Sequence, residues 1–190
     1  MNLPNKLTLL RVFLVPAFVV LVLYREIPYH YLWAFLVFAG ASLTDRFDGK
    51  IAREQNLITN FGKFLDPLAD KVLVISALVC FLPLGLVNVW CVLLIIAREL
   101  MVTSIRLLAL ESDGVVISAN KWGKAKTISQ MVAIIFVLLC QSLQEFFSFS
   151  GGSAAMLAAG DVLLWIATAL TVISGAIYLK ENLHLINASK

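Results

Sequence analysis

Residues 31–52 read YLWAFLVFAGASLTDRFDGKIA, and residues 65–82 read LDPLADKVLVISALVCFL. Each is an apolar run close to the roughly 20 residues that a helix needs to cross a hydrocarbon core of about 30 Å. Each also carries two acids at the end nearer the other run: Asp45 and Asp48 close the first, Asp66 and Asp70 open the second. The short connection 54–65 predicts antiparallel neighbouring helices that bring these acids to one depth. Further apolar runs lie near 7–24, 88–110, 126–147 and 156–180, separated by Pro28, by Pro83 with Gly85, by Asp113-Gly114 and by Gly151-Gly152. Such breaks are turn signals. The expected fold is all-α, a bundle of six transmembrane helices. No linker or internal repeat divides it, so residues 1–190 read as a single membrane domain. The first run does not read as a cleavable signal peptide, because Pro16 interrupts it and no small-residue cleavage site follows.

Composition agrees with that solvent. Of 190 residues, 61% are hydrophobic and 14% charged, and the mean hydropathy is +0.91. Soluble domains carry about 25% charge, which excludes this chain from that class. A net charge of +3, dispersed along the chain, lacks the basic patch of a nucleic-acid binder. Cys80, Cys91 and Cys140 sit in apolar runs without CxxC spacing and read as small core hydrophobes. Of the 15 Lys and Arg residues, all but Arg25 fall on the side that carries both termini or in the half of the bundle facing it. The positive-inside rule then predicts both termini in the cytoplasm.

Four carboxylates at the edge of apolar spans require a partner or a cavity. Asp45 and Asp48 are spaced i, i+3, and Asp66 and Asp70 i, i+4, so each pair shares one helix face. Acids that close repel one another unless cations join them. Hard oxygen ligands without His or Cys select Mg²⁺ or Mn²⁺ over Zn²⁺. Four carboxylates suffice to bridge two such ions, the arrangement that clamps the entering and leaving oxygens of a phosphoryl displacement. The alternative is structural, with Arg46, Lys50, Arg53 and Lys71 pairing the acids. Gly49, Ala52 and Gly62 on these helices admit a ligand close to the backbone or tight helix packing. Pro67 is compatible with a helix starting at Asp66 as N-cap.

The pattern Asp45-x2-Asp48-Gly49-x2-Ala52-Arg53-x8-Gly62-x3-Asp66-x3-Asp70 resembles, without a departure, the signature of the CDP-alcohol phosphotransferases. That resemblance implies a six-helix membrane enzyme, commonly a homodimer, which uses divalent metal and a second alcohol to displace CMP from a CDP-linked alcohol. It also implies Asp45, Asp48 and Asp66 as main metal ligands, and Asp70 as a metal contact and general base. Gly49, Ala52 and Arg53 would line the nucleotide end. The opening Asn2-Leu3-Pro4-Asn5-Lys6-Leu7-Thr8-Leu9-Leu10-Arg11, together with Ala97-Arg98-Glu99-Leu100, Arg106 and Gly123-Lys124-Ala125-Lys126-Thr127-x2-Gln130, is similar to one bacterial branch of that family. Its members transfer a phosphatidyl group from CDP-diacylglycerol to sn-glycerol 3-phosphate. The implied location is the bacterial cytoplasmic (inner) membrane, with the site facing the cytoplasm. The last span is generic and adds nothing to the substrate assignment.

A second polar group lies in the fourth and fifth runs. Arg98 and Arg106 are eight residues apart, about two helical turns, and so share a face. Their expected ligand is an anion, with Lys124 and Lys126 adding point charge; this suits an acceptor that bears a phosphate. Glu99 is expected to orient or pair with an arginine. Lys121, Lys124 and Lys126 also fit a positive-inside or headgroup-binding loop before the fifth span. Asn5, Thr8 and Arg11 share a face that can reach the nucleotide, or Asn5 and Thr8 cap the helix while Arg11 meets lipid phosphate. Tyr29, Tyr31, Trp33, Phe146, Phe147 and Phe149 read as interface anchors, and His30 and His184 receive no role. Rival readings are another acceptor on the same scaffold (inositol phosphate, an amino alcohol or phosphatidylglycerol) and a divalent-cation transporter. The transporter is disfavoured because the acids occupy one hairpin with no counterpart in the second half.

Overall fold

The computed structural model describes the backbone of residues 3–54, 60–113, 121–147 and 153–182, and the side chains of 10–43, 71–106, 121–147 and 154–182. Among these residues there are six helices and no strand: α1 (Leu3–Leu23), α2 (His30–Glu54), α3 (Asn60–Phe81), α4 (Val89–Asp113), α5 (Lys121–Phe147) and α6 (Ser153–Glu181). Every expected run becomes a helix with ends shifted by at most five residues. Two shifts alter the sequence reading. Helix α3 begins at Asn60, so Asp66 and Pro67 lie inside it and Asp66 is not its N-cap. Helix α5 begins at Lys121, so Lys121, Lys124 and Lys126 stand on its first two turns rather than in a loop. Lys and Ala are strong helix formers, and nothing in KWGKAK stops a helix before the apolar run.

The helices close into a ring in the order α1–α2–α5–α6–α4–α3, with α5 against α6 the most extensive pairing. Buried positions follow helical periodicity. In α1 they are Arg11, Val15, Phe18 and Val22; in α2, His30, Ala34, Phe38 and Ala41. The Phe18 and Phe38 rings meet across these helices with centroids 5.7 Å apart. Helix α1 also packs on α3, whereas direct contact between α2 and α3 is slight among the described residues. The apolar stripe of α1 packs against both neighbours.

Connections at the end remote from the acids are tied by local chemistry. Gly85 adopts φ +69°, a left-handed conformation that favours glycine. The amides of Gly85 and Leu86 donate to the carbonyls of Leu82 and Phe81 at 3.0 Å each, a Schellman closure of α3. Asn88 Oδ1 accepts from the Trp90 amide at 2.9 Å and caps α4. Glu145, at the end of α5, accepts from the amides of His30 (3.2 Å) and Tyr31 (3.4 Å). A carboxylate thus sits at the positive end of the α2 dipole. His30 Nδ1–H donates to the Leu21 carbonyl at 3.0 Å, which gives this histidine a structural role in the α1–α2 turn.

The outward faces are apolar. Phe13, Leu36, Leu93, Leu100, Val132 and Ile166 are exposed, a surface that suits acyl chains rather than water. By length and composition, Lys121–Phe147 and Ala154–Glu181 qualify as membrane-spanning helices. All three cysteines are buried and free.

Candidate active site

The ring is loosest where α3 faces α4 and α5, and there a cavity of about 180 Å³ opens. Lys71 of α3, Arg98, Glu99 and Arg106 of α4, and Lys126 and Gln130 of α5 line it, over an apolar floor that includes Val74, Ile75 and Val102. The helical register explains this convergence. Arg98, Val102, Ile105 and Arg106 fall on one face of α4, and Lys126 and Gln130 are one turn apart on α5. Lys71 directly follows Asp70, so the cavity adjoins the acid-bearing end of α3.

Glu99 is the only acid among the described lining residues, against four cations. It is 5% exposed, forms an ion pair with Lys126, and lies 3.5 Å from Arg98 Nη1. The sequence expected an arginine partner; the shorter contact is to lysine. Lys71 Nζ donates to Thr103 Oγ1, which itself donates to the Glu99 carbonyl at 2.7 Å. Arg98 and Arg106 add two guanidinium groups to the same lining, and such planar forks are matched to anions with several oxygens. Arg98 Nε and Arg106 Nε are buried without a hydrogen-bond partner among the described residues, an uncommon state for buried polar atoms.

Of the residues expected at the acceptor phosphate, Arg98, Arg106 and Lys126 share this cavity, whereas Lys124 is exposed and outside its lining. The backbone carries Asp45, Asp48, Gly49, Ala52 and Arg53 on the last turns of α2, and Asp66 and Asp70 on the first three turns of α3. Asn5 and Thr8 lie on the first turns of α1. The side chains of these nine residues are outside the described set. Among described side chains, no cluster of three or more His, Cys, Asp or Glu exists; the four aspartates Asp45, Asp48, Asp66 and Asp70 lie outside that set. As a donor set they fit, since four carboxylate groups supply the hard oxygens that Mg²⁺ and Mn²⁺ prefer.

Sequence reasoning missed Lys71 as a cavity residue and gave Gln130 no role of its own. Gln130 sits one turn beyond Lys126 in an otherwise apolar run, a spacing that could have marked it. It missed α6 entirely. Ser174 Oγ accepts from Arg98 Nη2 at 2.8 Å, Thr171 Oγ1 accepts from Gln130 Nε2 at 2.9 Å, and the Arg106 guanidinium lies 5.7 Å from the centroid of the Tyr178 ring.

An acid-rich pair of helix ends thus adjoins a cavity lined by Arg and Lys. The chain belongs to the CDP-alcohol phosphatidyltransferase family, whose model matches residues 1–173. Among its relatives is the CDP-diacylglycerol–glycerol-3-phosphate 3-phosphatidyltransferase of Bacillus subtilis (strain 168), 41% identical over 99% of this chain and 98% of the relative. The protein of that name from Rickettsia bellii (strain RML369-C) is 40% identical, covering 94% of each chain. A probable phosphatidylglycerophosphate synthase of Mycobacterium tuberculosis (strain ATCC 25618 / H37Rv) is 40% identical over 96% of this chain and 82% of the relative. The family resemblance read from the aspartate pattern is thereby established.

Proposed function

We propose that this enzyme transfers a phosphatidyl group from CDP-diacylglycerol to sn-glycerol 3-phosphate, releasing phosphatidylglycerophosphate and CMP. The observation that carries the choice of acceptor is the convergence of Arg98 and Arg106, with Lys126, on one cavity. Two guanidinium forks suit the several oxygens of a phosphorylated acceptor, whereas a free amino alcohol brings a further positive charge beside them. The names of the relatives support glycerol 3-phosphate over inositol phosphate.

In this reading residues 1–190 form one domain of six spans with both termini and the site at the cytoplasmic face of the bacterial inner membrane. The chain works as a homodimer. The diacylglycerol tails lie among the apolar outer faces of the helices, and the cytidine end meets Gly49, Ala52, Arg53, Asn5 and Thr8. Asp45, Asp48, Asp66 and Asp70 would hold two Mg²⁺ or Mn²⁺ ions, which when bound neutralise the diphosphate. Arg98, Arg106 and Lys126 grip the acceptor phosphate and aim its 1-hydroxyl at the phosphorus that bears diacylglycerol. Asp70 accepts the hydroxyl proton as the new O–P bond forms and the bond to CMP breaks. Positioning and electrostatics supply most of the acceleration.

The test is incubation of purified protein in detergent with CDP-diacylglycerol and a panel of labelled acceptors, with and without Mg²⁺ or Mn²⁺. CMP release that requires both glycerol 3-phosphate and metal is the expected result. Release driven equally by inositol phosphate, an amino alcohol or phosphatidylglycerol would overturn the acceptor assignment.

A further inference from the structure

Helix α6 contributes no residue to the cavity lining, yet one face of it backs three of the residues that do. Thr171, Ser174, Gly175 and Tyr178 are spaced i, i+3, i+4 and i+7, so they form a single stripe, and all four are buried. Thr171 Oγ1 accepts from Gln130 and itself donates to the Ala167 carbonyl at 2.6 Å. Ser174 Oγ accepts from Arg98 Nη2. Gly175 is where the Arg98 stem crosses α6: a Cβ there would stand 2.8 Å from Arg98 Cγ and 3.6 Å from its Nε. That separation is too short to persist, so any side chain at 175 displaces the arginine near its root. Tyr178, 3% exposed, presents its ring to the Arg106 guanidinium at cation–π range.

The geometry points to Ser174, Gly175 and Tyr178 as positioning residues that set acceptor specificity by aiming Arg98 and Arg106 from behind. Arginine has a long stem and several rotatable bonds, and a phosphate discriminates by the angle of the guanidinium fork as much as by its charge. The stripe fixes each arginine at a different point: Ser174 the tip of Arg98, Gly175 its stem, and Tyr178 the face of Arg106. Both arginines line the cavity in front of that stripe. This inference rests on the proposal that these arginines bind the acceptor phosphate, and its test separates the two.

Steady-state kinetics of Gly175→Ala, Ser174→Ala, Ser174→Thr and Arg98→Ala in detergent decide it, with thermal melts as a control for folding. Ser174→Ala and Gly175→Ala should each raise KM for glycerol 3-phosphate about tenfold, on the scale of a lost charged hydrogen bond, while KM for CDP-diacylglycerol and kcat stay within about twofold. Ser174→Thr, which keeps the hydroxyl, should restore most of the affinity. In the Arg98→Ala background neither α6 substitution should add to the acceptor KM, because positions that act through one side chain are not additive. Were Gly175→Ala to fail to fold, Ser174→Ala and its threonine rescue alone decide. An Arg98→Ala enzyme with unchanged acceptor KM overturns the assignment of the anion pocket. An Arg98→Ala enzyme with raised KM beside unaffected or merely additive α6 variants overturns the role of α6 alone.

Discussion

The stretch of α3 from Lys71 to Phe81 runs between two regions that hold helices together by different means. Around Ala77, Leu78 and Phe81 the interior is chiefly apolar, filled by Phe18, Val22, Phe38, Cys91, Val92 and Leu138. Around Lys71, among the described side chains, a smaller apolar cluster of Val102, Ile105 and Tyr178 lies beside the Glu99–Lys126 pair and the Lys71–Thr103 and Arg98–Ser174 bonds. Lipid offers apolar side chains nearly the same solvation as a neighbouring helix, so dense packing and interhelical hydrogen bonds carry the association. The packed region secures the ring, which leaves the other free to keep an open cationic space. A cavity lined by like charges destabilises the fold and is tolerated where a ligand uses it.

The sharpest break between the regions comes at Asp70. Asp70→Asn removes the proposed proton acceptor, which is also a proposed metal ligand, so CMP release should fall at least about 100-fold with an unchanged melting profile. Substantial residual transfer would remove the general-base role. Chelation by EDTA should abolish turnover equally, with recovery on adding Mg²⁺ or Mn²⁺. Phe38→Ala, in the packed region, should do the reverse. Loss of the ring that meets Phe18 leaves a cavity costing about 2 kcal/mol or more, read as a thermal midpoint lower by roughly 4–8 °C. KM for either substrate should not change in the protein that remains folded. If Phe38→Ala altered acceptor affinity instead, the two regions would not be separable.

How much of this was legible beforehand follows the same division. Six apolar runs gave six helices, because a long apolar run bounded by turn residues is a direct helix signal. Arg98 and Arg106 were found because charge is conspicuous in an apolar segment and their spacing is helical. Ring order was not legible: short connections suggest that α2 and α3 are neighbours, and only the packing of Val15, Phe18 and Val22 shows α1 serving both. Nor was α6. Thr171, Ser174 and Gly175 are small residues that occur in any transmembrane helix, and their meaning depends on which side chains lie across from them. The starts of α3 and α5 were misjudged because a hydropathy pattern marks where apolar sequence begins, whereas helices extend into polar turns as long as propensity allows.

Within the cationic region a finer contrast separates Arg106 from Lys124, both of which the sequence assigned to the acceptor phosphate. Arg106 lines the cavity with a buried Nε that has no partner among the described residues, whereas Lys124 points its charge into exposed surroundings on the first turn of α5. Arg106→Ala should therefore raise KM for glycerol 3-phosphate about tenfold, as expected for one charged hydrogen bond, with KM for CDP-diacylglycerol unchanged. Lys124→Ala should move acceptor KM by less than about twofold, because an exposed charge outside the cavity is screened by solvent. Kinetics of the two variants at low and at 0.5 M salt would sharpen the distinction. The Lys124 effect, acting at a distance, should vanish in high salt, and the Arg106 effect, acting by contact, should persist. Equal losses in both variants would mean that the acceptor binds nearer the surface than the α3–α4–α5 cavity.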